Sequence, residues 1–232
     1  MTNLELSPRL HLIADWVPQG ARLVDVGTDH AYLPVWLLVH GKIDRAIASD
    51  LRKGPLERAR QTGRIHGVEE KISFRLCGGL DATKVHEVDT VAIAGMGGET
   101  IAQILQAAPW TKEPQMRLLL QPMSRSETLR QYLADNGYCI TREQLVADRG
   151  VVYPVLEVMA GEMKLTLGQV YCGYLLQKDP LAERYIIEKI LQLQQIIAQR
   201  KGRAPQQAVD ALRDVVASLL ELREEWRHGN TT

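Results

Sequence analysis

The chain has a single phenylalanine, and aromatic residues make up only 5% of its 232 residues. Its three cysteines, Cys77, Cys139 and Cys172, are far apart and odd in number. They form no disulfide framework and no zinc-ligand spacing, so a reducing compartment and no metal are expected. Neither sign of charge is in excess, because 28 Lys and Arg balance 28 Asp and Glu. That balance lacks the overall basic character of a dedicated nucleic-acid binder, although it leaves room for a local basic face. No apolar run approaches the ~20 residues of a membrane span. The opening MTNLELSPRL has no apolar signal core, and a cytoplasmic location with no membrane partner is expected. The G-x-G-x-x-G spacing of dinucleotide-dependent oxidoreductases is also missing, since Asp29 and Tyr32 stand where its later glycines would fall after Gly27.

What is present is a hydrophobic content of 45%, enough for a core, and an alternation of short apolar runs with helical patterns. Strands are predicted at Arg22–Val26, Arg45–Ser49, Ile72–Leu76, Thr90–Ala94 and Met116–Leu120. Helices are predicted at Leu4–Trp16, Leu33–His40, Pro55–His66, Glu99–Gln106 and Ser126–Asn136. Ser7 and Pro8 suit the N-cap and first position of the first helix. This alternation implies an α/β fold, a parallel sheet covered on both faces. Cys139–Ala147 and Val151–Met159, joined by the turn chemistry of Asp148-Arg149-Gly150, read as a hairpin at the sheet edge. Past Leu165 the pattern changes. Ile186, Ile190, Leu193 and Ile197, then Val209, Leu212, Val216 and Leu219, repeat with the seam periodicity of packed helices. Gly202, Ala204 and Pro205 separate the two runs, so an antiparallel helical hairpin is expected from about Pro180 to Arg227. It would serve as a structural appendage, a dimer seam or an arm for a large substrate.

Three segments carry candidate chemistry. LVDVGTDHAYLP (Leu23–Pro34) is a strand ending in an acid, a glycine turn and a polar cluster. Gly27 lets the backbone bend and approach a ligand. Asp50 ends AIASD, 25 residues beyond Asp25, where an acid at a second strand tip meets a ribose diol. VAIAGMGGE (Val91–Glu99) is a buried-type strand running into three glycines. Together they point to a nucleoside cofactor.

With CGGLDA (Cys77–Ala82), the strings DVGTDHAYLP and AGMGGE resemble the TrmK family. These are bacterial tRNA (adenine-N1)-methyltransferases that use S-adenosylmethionine and modify an adenine in the D-arm region. The resemblance spans almost the whole chain. It implies a class I methyltransferase Rossmann-like domain, residues 1–162, and a C-terminal coiled-coil helical domain, residues 163–232. It implies S-adenosyl-L-methionine as cofactor and tRNA as partner, and no obligate protein partner is evident. On this reading Asp25 and Gly27 take the methionine end and Asp50 the ribose hydroxyls. Leu51 flanks the adenine, Gly78 and Gly79 allow close approach, and Asp81 accepts from the adenine amino group. Asp81 alternatively caps a helix. Ala94 and Gly95 pass beside the methionine.

Adenine N1 already carries a lone pair, so transfer requires in-line placement and exclusion of water more than a strong base. The methylated ring is cationic, and a nearby carboxylate stabilises the growing charge. Asp29 is the candidate, with His30 as a second polar contact; Asp29 otherwise holds the cofactor or caps the next helix. AGMGGE replaces the Asn/Asp-Pro-Pro-aromatic motif of many amino methyltransferases, which fits attack by a ring nitrogen. Tyr32 and Met96 are candidates to stack on a base, and Gln121-Pro122-Met123 ends the fifth strand on the same edge. Phosphate contacts would come from Arg52, Lys53, Arg58, Arg60 and Arg64, from Arg9, and from Arg200, Lys201 and Arg203. The rival readings are a small-molecule methyltransferase with a dimerising tail, a dinucleotide oxidoreductase, and a non-catalytic RNA-binding protein with a retained cofactor pocket.

Overall fold

The computed structural model describes residues 4–229. A seven-stranded sheet comprises β1 (Leu23–Val26), β2 (Ala46–Asp50), β3 (Ile72–Leu76), β4 (Thr90–Gly97), β5 (Arg117–Ser124), β6 (Tyr138–Asp148) and β7 (Val151–Ala160). Their spatial order is β3-β2-β1-β4-β5-β7-β6. The first five strands are parallel, and β7 returns antiparallel to β5. Between them run α1 (Pro8–Trp16), α2 (Tyr32–Val39), α3 (Lys53–Ile65), α4 (Gly98–Ala107) and α5 (Ser126–Asp135). Strand order reverses between β1 and β4, and the carboxyl ends of such strands frame a crevice.

Burial on two faces explains the unbroken apolar runs. In β5, Leu118 and Leu120 belong to one core with Ile101, Leu105 and Leu129 of α4 and α5. Leu119 between them joins the opposite core with Ile13, Leu33 and Leu37 of α1 and α2. This is the period-two alternation of a strand, with both faces apolar because both are covered. The hairpin between β6 and β7 turns through Arg149 (φ 50°) and Gly150 (φ 83°). Two successive positive φ values are those of a type I′ turn, which matches the right-handed strand twist.

Three further helices follow, α6 (Leu167–Cys172), α7 (Ala182–Arg200) and α8 (Gln206–Gly229). Ile186, Ile190 and Leu193 of α7 meet Val215, Leu219, Leu222 and Trp226 of α8 in a third core. Leu145 and Val152 of the β-hairpin belong to the same core, so the helices are rooted on the sheet edge. Deeper still, Arg130 of α5 donates from Nε to Glu143 of β6 at 2.9 Å, both side chains being wholly buried. The second Glu143 oxygen accepts from the backbone N–H groups of Tyr174 (2.7 Å) and Leu175 (3.1 Å). This pair ties the sheet to the chain leaving α6.

Three expectations need correction. The first helix begins at Pro8 rather than Leu4, and Ser7 does not cap it through its side chain, whose Oγ is buried without a partner. The glycine-rich end of β4 stays in the sheet to Gly97, pairing with β5 through two register shifts around Met96. In the hairpin seam Val215 is buried while Val216 and Ile197 are only half-buried.

Candidate functional site

The backbone at the mouth of β1 is pinned before any side chain acts. Gly27 N–H (2.8 Å) and Thr28 N–H (3.0 Å) both donate to the Ser49 carbonyl of β2. Gly27 has φ 70°, and a Cβ there would collide with the Met96 methyl group. Only glycine satisfies both conditions. Asp29 (φ 48°) and Ala31 (φ 54°) follow in the left-handed region, aiming the polar cluster out of the sheet.

Asp25 sits under this turn, 6% exposed, and accepts from Thr28 Oγ1 at 2.5 Å. Burial pushes its carboxyl up to about 6, against the Thr28 hydrogen bond that lowers it and with a smaller push from Asp50. Asp50, 7% exposed, ends β2 and accepts at Oδ1 from the Arg52 backbone N–H, 2.9 Å. Leu51 beside it is 74% exposed, a large apolar side chain standing in solvent at the sheet edge. Gly78 and Gly79 follow β3, and a Cβ on Gly78 would lie 3.3 Å from the Asp81 carboxylate. Asp81 is exposed in this turn, and no helix starts there for it to cap.

At β4, Ala94 leads into Gly95, which has φ 79° and open space where a Cβ would be. Its N–H donates to Gln121 Oε1 at 3.1 Å. The same oxygen accepts from Arg9 Nη1 at 2.7 Å, and Arg9 Nε donates to Asp148 Oδ2, also at 2.7 Å. Gln121 is fully buried. Three distant segments, α1, β5 and the end of β6, thus converge on one backbone amide of the crevice. Sequence reasoning placed Gln121 on the right edge but had no signal for this clasp, because its partners are 112 and 139 residues from Arg9.

These elements enclose a cavity of about 160 Å³ lined by Arg9, Asp25, Gly27, Thr28, Asp29, His30, Tyr32, Ala94 and Gly95. His30 stacks on Tyr32 with ring centroids 5.0 Å apart. Asp29 is paired with Arg58 at 2.6 Å, which places a guanidinium beside the candidate carboxylate. Met96 packs under Gly27 rather than standing as a free platform. Arg52 and Lys53 are exposed beside Asp50. Arg60 is not brought to the cavity, since its guanidinium lies over the Phe74 ring, 4.7 Å from the centroid. Among the described residues no cluster of His, Cys, Asp and Glu is arranged to hold a metal ion.

This strand order, with a glycine turn over one buried carboxylate and a second carboxylate at the next strand tip, is that of a Rossmann-like methyltransferase domain. Residues 6–156 match the family model described as a methyltransferase domain. The tRNA (adenine(22)-N(1))-methyltransferase of Bacillus subtilis (strain 168) is 37% identical over 162 residues, 70% of this chain and 68% of that protein. The crystal structure of B. subtilis TrmK superposes with a TM-score of 0.87 at 30% identity, covering 95% of this chain and 100% of the other. A Streptococcus pneumoniae protein solved with S-adenosyl-L-methionine gives 0.82 at 36% identity, covering 94% and 100%. The chain belongs to the TrmK family of tRNA (adenine-N1)-methyltransferases.

Proposed function

We propose that the crevice binds S-adenosyl-L-methionine and that the protein methylates N1 of an adenine in the D-arm region of tRNA. The observation that carries the reading is the pair of buried strand-end carboxylates, Asp25 and Asp50, flanking an open glycine cradle. The donor set fits such a cofactor. Asp50 presents carboxylate oxygens to a ribose diol, and Leu51 and the Gly78–Gly79 turn offer an apolar face and close backbone approach to an adenine. Asp81 stands beside that turn to accept from the amino group. Asp25, Gly27, Ala94 and Gly95 surround the enclosed end, where buried negative charge suits an ammonium and a sulfonium. When bound, the cofactor supplies an electrophilic methyl carbon.

The remaining work falls to the protein. Tyr32, stacked with His30, lines the acceptor side and orients a planar ring. The carboxylate of Asp29 lowers the energy of the positive charge that builds on the base. Arg58 holds that carboxylate in place, and His30 gives a second polar contact. No general base is needed for N1, whose lone pair is already free. Residues 1–162 act as the catalytic module and 163–232 as a helical module that engages the RNA. Family membership favours this reading over a small-molecule methyltransferase.

The test is incubation with S-adenosylmethionine and unmodified tRNA, followed by nucleoside mass spectrometry. 1-Methyladenosine in the D-arm region is expected; transfer to another nucleoside, or none, overturns the proposal. Asp50→Ala should weaken cofactor binding by about 10- to 100-fold in calorimetry, the loss of a charge-assisted pair of hydrogen bonds.

A further inference from the structure

A second and larger concavity adjoins the cofactor crevice. It has a volume of about 670 Å³ and lies between the β5–α5 junction, the start of β7 and the inner side of α7. That is within the roughly 300–1,000 Å³ of pockets that hold small-molecule ligands. Arg9 is the partition between the two spaces. It lines the small cavity, donates to Met123 Sδ at 3.2 Å and lies over Tyr153, 5.3 Å from the ring centroid. Met123 and Tyr153 both line the larger groove. The two spaces are therefore neighbours across a single side chain.

Its lining has the chemistry for such a strand. Tyr153 and Tyr171 are half-buried there and contribute aromatic rings to its wall. Lys189, Arg125 and Arg200 supply positive charge. Lys189 lies 3.9 Å from Glu127, and Arg125 lies 3.9 Å from both Glu127 and Glu99, all beyond hydrogen-bonding distance, while Arg200 forms no ion pair among the described residues. The other lining acid, Glu188, is already neutralised by Arg184 at 2.7 Å. Further along the hairpin, Arg223 and Arg227 both grip Glu183 at 2.6 and 2.7 Å. The groove thus concentrates loosely held cations on a chain with no net charge.

We propose that this groove binds a second, unpaired nucleotide of the RNA, next to the one being methylated. Its phosphate rests on Lys189 and Arg125, the neighbouring phosphate on Arg200 about 16 Å further along α7, and its base lies against Tyr153 and Tyr171. Stacking of this kind tolerates any base, while the cations read only the backbone. The proposal rests on the reading of the protein as a tRNA methyltransferase.

The experiment is steady-state methylation of an unmodified tRNA transcript by the full chain and by the double variant Lys189→Glu with Arg200→Glu. The KM for tRNA should rise about tenfold or more, with S-adenosylmethionine affinity unchanged. Glu127→Gln removes the carboxylate that competes for Lys189 and Arg125, so it should lower the KM, which a purely structural acid would not do. Photo-crosslinking of wild-type protein to thiouridine-substituted tRNA needs no variant to fold, and should mark residues 122–127, 151–154 or 185–200. An unchanged KM in the double variant, or crosslinks confined to other faces, overturns the groove while leaving the methyltransferase intact. Failure of the wild-type protein to methylate any tRNA overturns the enzymatic reading, and this one with it.

Discussion

Asp25 carries the most perturbed carboxyl of the crevice, and burial is the main cause of its rise to about 6. The folded protein holds that proton more tightly than the unfolded chain does. Stability should therefore fall as pH rises from 3.8 to about 6, and the loss should persist above that window. A cationic ligand favours the ionised form, so cofactor affinity should grow over the same rise. Calorimetric titration across this range, repeated with Asp25→Asn, checks both, since the amide should flatten the two dependences. Arg9 raises a different matter. Its guanidinium was expected to meet phosphate, yet it is held by Asp148 and Gln121 and acts on the Gly95 amide through the latter. Arg9→Gln should leave Asp148 unpaired and release that amide. We expect kcat/KM to fall about tenfold through misplacement at the crevice; unchanged kinetics would show that the clasp is merely structural.

At the scale of elements, the β-hairpin is both an edge and a mount. Arg130–Glu143 lies beneath it, fully buried. Arg130→Met should destabilise the protein by about 3–5 kcal/mol in chemical denaturation, because an uncompensated carboxylate stays buried. Adding Glu143→Leu should restore most of that loss, since the apolar pair carries no desolvation penalty. Nothing in the sequence announces this pair, because a salt bridge between a helix and a strand 13 residues apart has no periodicity. The strands, by contrast, were legible from Leu23–Val26 to Val151–Ala160, because burial on both faces writes continuous apolar runs. The ends of β4 and β5 were cut short, since the glycines of one and the proline of the other read as breaks even where a bulge keeps them in the sheet. The short helix α6 went unseen for want of length. Asp25 and Asp50 stand on neighbouring strands as their spacing predicted, whereas no periodicity shows which aromatic ring the Arg60 guanidinium covers.

For the molecule as a whole, charge neutrality sets a condition on any encounter with RNA. Attraction must be local, so few phosphates are engaged. Three contacts predict that raising salt from roughly 50 to 200 mM weakens tRNA binding about 20- to 40-fold, far less than for a uniformly basic protein; filter-binding titrations measure the slope, and a flat response would remove phosphate contacts altogether. The Arg9 clasp has a last consequence, for synthesis. The bond from α1 to Asp148 joins the beginning of the sheet domain to nearly its final hairpin. A nascent chain therefore emerges with its glycine turns early but must wait for the hairpin before the mouth is braced. Until the ribosome has released that hairpin, Arg9 lacks its Asp148 partner and this brace cannot close.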